Sequence, residues 1–105
     1  MSSRRKTNRQ FTAIGDVLAQ VLRGYERKAR SDLSRVHRVW DDCVGAAIAA
    51  NTRPVALKGA RLVVVVTSSA WLHQLQFLKQ DLIERLNRRA GGDIVEDIRF
   101  RIGTF

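Results

Sequence analysis

Apolar positions recur along this chain at helical spacing, then at strand spacing, then at each once more. Phe11, Ile14, Val17, Leu18, Val21 and Leu22 share an arc of roughly 140° on a wheel turning about 100° per residue. That predicts a helix over 11–23, stopped by Gly24. Residues 25–30 read as a charged connector. Ser31 or Asp32 then caps a second helix running to about residue 50, with Leu33, Val36, Trp40, Cys43, Val44, Ala47 and Ile48 as its stripe. Asn51 and Pro54 close it. Val55 and Leu57 begin a hairpin, Gly59-Ala60 supplies its turn, and residues 62–67 form the return strand. That strand is apolar at every position from Leu62 to Val66, as in a central strand or one covered on both faces. Ser68-Ser69 caps a third helix over 70–89, whose arc holds Trp71, Leu72, Leu75, Leu78, Leu82, Ile83 and Leu86, and Gly91-Gly92 ends it. A last strand sends Ile98, Phe100 and Ile102 to one side and Asp97, Arg99 and Arg101 to the other.

The order is α-α-β-β-α-β, an α+β class. A long helix between the second and third strands suits a β-α-β crossover, which sets them parallel if they are neighbours. The first strand then pairs antiparallel on the other side of the second, giving a three-stranded mixed sheet with helices packed mainly on one face. The opposite face is a candidate surface. There Arg99 and Arg101 stand beside either Val63, Val65 and Thr67 or Leu62, Val64 and Val66. Lacking aromatics, it is a poor platform for stacking bases, and it serves equally as a protein-docking face or as a surface capped by the N-terminal helices.

Charge sharpens the picture. Among 105 residues, 19 Lys and Arg stand against 10 Asp and Glu, a net charge of +9 and a pI near 11.3. Such a field attracts DNA, RNA, an anionic membrane or an acidic protein. Residues 1–9 hold Arg4, Arg5, Lys6 and Arg9 with nothing apolar after Met1, so they are expected to form a flexible basic arm before a single domain over 10–105. Arg23, Arg27, Lys28, Arg30, Arg35 and Arg38 put six cations into sixteen residues, dense enough to follow a phosphate backbone or simply to keep a helix face solvated. No secretory signal and no membrane-length apolar run is present in the sequence, and the cytoplasm is the expected compartment.

Candidates for catalysis fall away one by one. Cys43, the single cysteine, lies in helical phase with Trp40 and Ala47 and reads as a buried thiol. Ser68 and Ser69 stand where a helix cap belongs, without a nucleophile elbow around them. His37 and His73 lack partners at metal-ligand spacing. Asp41 and Asp42 point about 100° apart on a helix, with Arg38 in reach of Asp42. The glycines make neither a dinucleotide nor a phosphate loop, nor the G-x-x-G by which KH domains clamp a strand. No enzyme, cofactor, metal or small-molecule substrate is therefore expected. Trp40 and Trp71 read as core. Phe77 lies near 240° from Trp71 on the third helix, almost opposite the apolar arc; either it anchors a partner or a base, or one of the first two helices covers it.

The wording from the second helix onward resembles the DciA-like family of bacterial proteins, formerly a domain of unknown function. The resemblance is carried by Trp40, Val44-Gly45, Asn51-Thr52-Arg53-Pro54, Leu62 to Val66, Ser68-Ser69-Ala70-Trp71, Leu75, Leu78-Lys79, Leu82 to Leu86 with Asn87, and Ile98-Arg99-Phe100-Arg101-Ile102-Gly103. It implies a KH-like domain that contacts the replicative helicase and single-stranded DNA during replication initiation, with no membrane partner. The alternatives are a KH-like RNA-binding protein, and a basic scaffold docking an acidic protein. On the leading reading Arg4, Arg5, Lys6, Arg9 and the six cations from Arg23 to Arg38 hold nucleic acid, while Phe77, Arg99 and Arg101 meet a partner.

Overall fold

The computed structural model describes the backbone of residues 2–105 and the side chains of residues 14–105. Helix α1 (Ser2–Val44) and the short helix α2 (Ala46–Ala49) precede strands β1 (Thr52–Lys58) and β2 (Arg61–Val66). Helix α3 (Ser69–Ala90) and strand β3 (Asp97–Ile102) follow. The sheet runs β1-β2-β3, with β1 antiparallel and β3 parallel to the central β2. This is the mixed α+β arrangement that the apolar pattern predicts. Of the expected basic arm, residues 2–9 have their backbone within α1, while Met1 and the side chains of Arg4, Arg5, Lys6 and Arg9 lie outside the described residues.

The break between the first two helices is not where it was expected. Gly24 does not stop α1, and the expected connector over 25–30 is helical. A mid-helix glycine costs only about 1 kcal/mol relative to alanine, and Glu26, Arg27, Lys28, Ala29 and Arg30 are all good helix formers. The chain breaks instead at Gly45, whose φ of 87° and ψ of 161° belong to glycine alone. Val36, Trp40, Cys43 and Val44 enter the core as expected, and Leu33 and Ile48 pack against it; Ala47, thrown out of phase by the break, is exposed.

Of the stripe expected of the first helix, the Phe11 side chain lies outside the described residues and the other five are not core. Ile14, Val17, Leu18, Val21 and Leu22 are each about half exposed, because a straight α1 carries them beyond the sheet. Forty-three helical residues span about 65 Å at roughly 1.5 Å each, and the molecule measures 67 × 28 × 20 Å.

The C-terminal half of α1, α3 and, at one edge, the short α2 cover one face of the sheet. Leu62, Val64 and Val66 of β2 and Ile98 and Phe100 of β3 are buried with Val36 and Trp40 from α1 and Leu75, Leu82 and Leu86 from α3. Trp71 is half-buried at the edge of this cluster. The hairpin turns at Gly59, whose φ of 61° meets the demand of a two-residue turn for positive φ at its first position. Strand β1 carries a bulge between Pro54 and Ala56, tolerable because β1 is an edge strand on which Pro54 need not donate throughout. The bulge turns Thr52 inward, where its hydroxyl accepts from Trp40 Nε1 at 3.0 Å and donates to the Ile48 carbonyl at 2.8 Å.

Ser68 caps α3 by accepting from the Trp71 amide at 3.4 Å, and Gly91 ends it in the left-handed conformation. Asn87 then fastens the approach to β3. Its side chain donates to the Val95 carbonyl at 2.8 Å and accepts from the Val95 amide at 2.9 Å. Asn87→Ala strands both backbone groups of a residue that is only 1% exposed, so it should cost about 2 kcal/mol. Urea unfolding reads this as a lower midpoint at unchanged slope, with faster exchange of the Val95 amide.

Candidate nucleic-acid interface

Because Leu62, Val64 and Val66 point under the helices, Val63 and Val65 face the other way. The register then decides their neighbours. Val65 pairs with Arg53 on β1 and Arg101 on β3; Val63 pairs with Ala56 and Arg99; Arg61 pairs with Lys58 and Asp97. The uncovered face therefore carries five cations, Arg53, Lys58, Arg61, Arg99 and Arg101, around a valine centre. All five are exposed. Arg99 and Arg101 are about 6.6 Å apart along their strand, and Arg53 and Arg101 flank Val65 across about 10 Å.

A single carboxylate belongs to these rows. Asp97 receives Lys79 Nζ from α3 at 2.9 Å and Arg61 Nε at 3.5 Å. The Lys79 hydrogen bond, aided by the Lys79 and Arg61 charges, holds the Asp97 carboxyl below its ordinary range. Glu96 lies at the same end, lining a cleft of about 320 Å³ with Lys58, Arg61 and Val63. Among the described residues, no carboxylate reaches Arg53, Lys58, Arg99 or Arg101. Their charge is thus directed at solvent. Val65 is only 4% exposed, because the chain leaving β3 crosses it: a Cβ on Gly103 would lie 3.1 Å from Val65 Cγ1, and the Gly103 amide bonds the Val66 carbonyl at 3.0 Å.

Of the two neighbour sets open to Arg99 and Arg101 in the sequence, the structure selects the one holding Val63 and Val65. Arg53, Lys58 and Arg61 were not singled out beforehand. Lys58 and Arg61 were within reach, since a two-residue turn at Gly59-Ala60 must pair them. Arg53 was not, because its facing depends on the bulge.

The cations of α1 form a separate surface. Arg23, Arg27, Lys28, Arg30 and Arg38 are all exposed; four of them, Lys28 excepted, lie on the side of α1 away from the sheet-facing stripe. Arg35 differs from the rest. Its guanidinium donates to the Ala90 carbonyl and lies 3.5 Å from Asp32, tying α1 to the end of α3. Arg4, Arg5, Lys6 and Arg9 have side chains outside the described residues. The helix layer separates the α1 cations from the open sheet face, so no short segment of strand reaches both directly.

The other candidates resolve as follows. Phe77 is 90% exposed on the outer side of α3, so neither of the first two helices covers it. Cys43 is buried, and burial pushes its thiol pKa up, away from reactive thiolate. His37 Nε2 donates to the Pro54 carbonyl at 2.7 Å, joining α1 to β1. Asp42 meets Arg89 at 3.7 Å rather than the expected Arg38.

A family model described as "Dna[CI] antecedent, DciA" matches residues 13–100. A UPF0232 protein of Mycobacterium tuberculosis is 33% identical over 60 residues, which cover 57% of this chain and 32% of that protein. One from Corynebacterium glutamicum is 28% identical over 60 residues, 57% of this chain and 34% of its own. One from Bifidobacterium longum is 26% identical over 94 residues, 90% of this chain and 60% of its own. The aligned region thus spans about a third of the mycobacterial relative.

Proposed function

The chain belongs to the DciA family, and from that premise we propose that it is a non-enzymatic binding module of DNA replication that holds single-stranded DNA and contacts the replicative helicase. The observation that carries the DNA half is the uncovered sheet face, with five cations around Val63 and Val65 and one carboxylate in the same rows. Arginine forks grip phosphate oxygens in two-point contacts without reading a base. Gly103 covers Val65 and the face has no aromatic to stack on, so the grip comes from the cations and binding is weak, sequence-tolerant and strongly salt-dependent. Arg23, Arg27, Lys28, Arg30 and Arg38 form a second track, which Arg4, Arg5, Lys6 and Arg9 extend toward the N-terminus. Arg99 and Arg101 belong to the DNA face on this reading. Phe77 remains a protein contact, as an exposed aromatic anchor.

The test is a salt titration of the full chain against a labelled single-stranded DNA, the RNA of the same sequence and the DNA duplex, with helicase binding measured in parallel. The expected result is micromolar affinity for single-stranded DNA at about 50 mM salt, falling steeply as salt rises. Tighter binding to RNA moves the protein to an RNA target. Binding that ignores salt, or none at low salt, removes the DNA half; no capture by purified helicase at micromolar concentration removes the other.

A further inference from the structure

The N-terminal half of α1 exposes an apolar surface that none of the described residues covers. Ile14, Val17, Leu18, Val21, Leu22 and Tyr25 are between 49% and 70% exposed. On the helical wheel, all but Val17 lie within about 70° of the line through Val36, Trp40 and Cys43, the side chains that α1 buries on the sheet. One apolar stripe therefore runs the length of the helix. Its C-terminal half is consumed by the domain and its N-terminal half is left over. Together the six side chains offer on the order of 600 Å², close to the roughly 800 Å² that a stable interface takes from each partner.

Two glycines border this arc. Gly15 lies beside Leu22 on one side and Gly24 beside Val17 on the other, and a Cβ at either would meet nothing within 4 Å among the described residues. Each costs the helix about 1 kcal/mol relative to alanine, with no packing reason among the described residues. With Ala19 and Gln20 they leave the flanks of the arc low over its N-terminal turns, so a neighbouring backbone can come close on both sides, and Glu26 and Lys28 carry the charge at its C-terminal end.

We infer that this half of α1 docks into a groove between two helices of a protein partner, apolar on its floor and acidic at its rim. A second copy fits less well. A two-helix seam is narrower than an arc of about 140°, so it leaves Val17 and Leu22 at the wet edges. Pairing also brings together two chains of +9 each. A membrane surface fits less well too, because Arg23, Arg27 and Arg30 lie behind the helix rather than along the borders of the arc, where headgroups would meet them. A groove between two helices covers both flanks, and an acidic rim answers Lys28 and the surplus charge. The cations behind α1 stay free for DNA, so one helix carries partner and strand on opposite sides.

The inference rests on the helicase half of the proposed function, and purified replicative helicase is the probe. Leu18→Gln/Leu22→Gln removes apolar surface without changing charge or any contact within the domain. The expected result is at least a tenfold weaker affinity for helicase, with an unchanged thermal midpoint and unchanged single-stranded DNA affinity. Gly24→Leu provides a second reading: it raises helicity yet fills the flank, and it too should weaken helicase binding. If the wild-type chain binds helicase and both variants bind as well, the inference falls and the proposed function stands. If the wild-type chain does not bind, both fall. Sedimentation as a dimer that the double variant splits, with helicase binding intact, overturns the inference in favour of a second copy. Capture by anionic phosphatidylglycerol vesicles that the double variant abolishes, with helicase binding intact, overturns it in favour of a membrane.

Discussion

Replacing Arg53, Arg99 and Arg101 together with alanine is expected to lower affinity for single-stranded DNA about 50-fold at 0.15 M salt and several hundred-fold at 0.05 M, if each arginine neutralises one phosphate and contributes about 0.7 to the log–log salt slope. The slope itself should flatten by about two units, which separates lost phosphate contacts from a general loss of fold. All three side chains are exposed and meet no carboxylate among the described residues, so their removal costs the domain little. Fluorescence anisotropy over a salt series reads both quantities. The same triple substitution leaves α1 untouched, and helicase affinity should not move. A variant that keeps the wild-type slope would show that the strand runs along the cations of α1 instead.

Trp40→Ala is expected to destabilise the domain by about 3–5 kcal/mol, a large part of the stability a domain of this size has. Trp40 is 2% exposed, and its indole joins α1 to β1 through the Thr52 hydroxyl, which in turn donates to the Ile48 carbonyl. Truncation opens a cavity between helix and sheet and also leaves Thr52, a residue only 4% exposed, short of one donor. Trp40→Phe keeps most of the volume and loses only the indole hydrogen bond, at about 1 kcal/mol plus the part of the volume that phenylalanine does not fill. Urea unfolding of both variants distinguishes the contributions. Equal losses in the two would place the stabilisation in the hydrogen-bonded chain rather than in packing.

Much of the fold was legible because local signals agreed with one another. Ser68 and Gly91 mark both ends of α3, the turn at Gly59-Ala60 fixes the hairpin, and the unbroken apolar run of β2 marks a central strand. The family resemblance was legible too, in residues that the structure places in the core or at caps: Trp40, Asn87, Ile98 and Phe100. The binding surface was legible only in part. Alternation along β3 put Arg99 and Arg101 on one side, but which side of β2 they would join depended on which face the helices chose.

The sequence alone determined the order of elements, the strand at the centre of the sheet and the excess of positive charge, since each follows from residues near one another in the chain. Three things waited for the tertiary structure. Whether Gly24 or Gly45 divides the N-terminal helices turns on a cost of about 1 kcal/mol, which the helix formers after Gly24 overcome and which only a glycine at positive φ finally enforces. Whether Arg53 faces solvent depends on one extra residue in β1. Without the bulge, alternation from Leu57 would send Arg53 toward the helices, and with it Thr52 and Pro54 turn inward while Arg53 joins Val65 and Arg101. Whether the first apolar stripe is core or surface depends on how far a straight α1 outruns a sheet whose strands are six or seven residues long. Each is a matter of length and register between distant segments, to which a periodicity confined to one segment is blind.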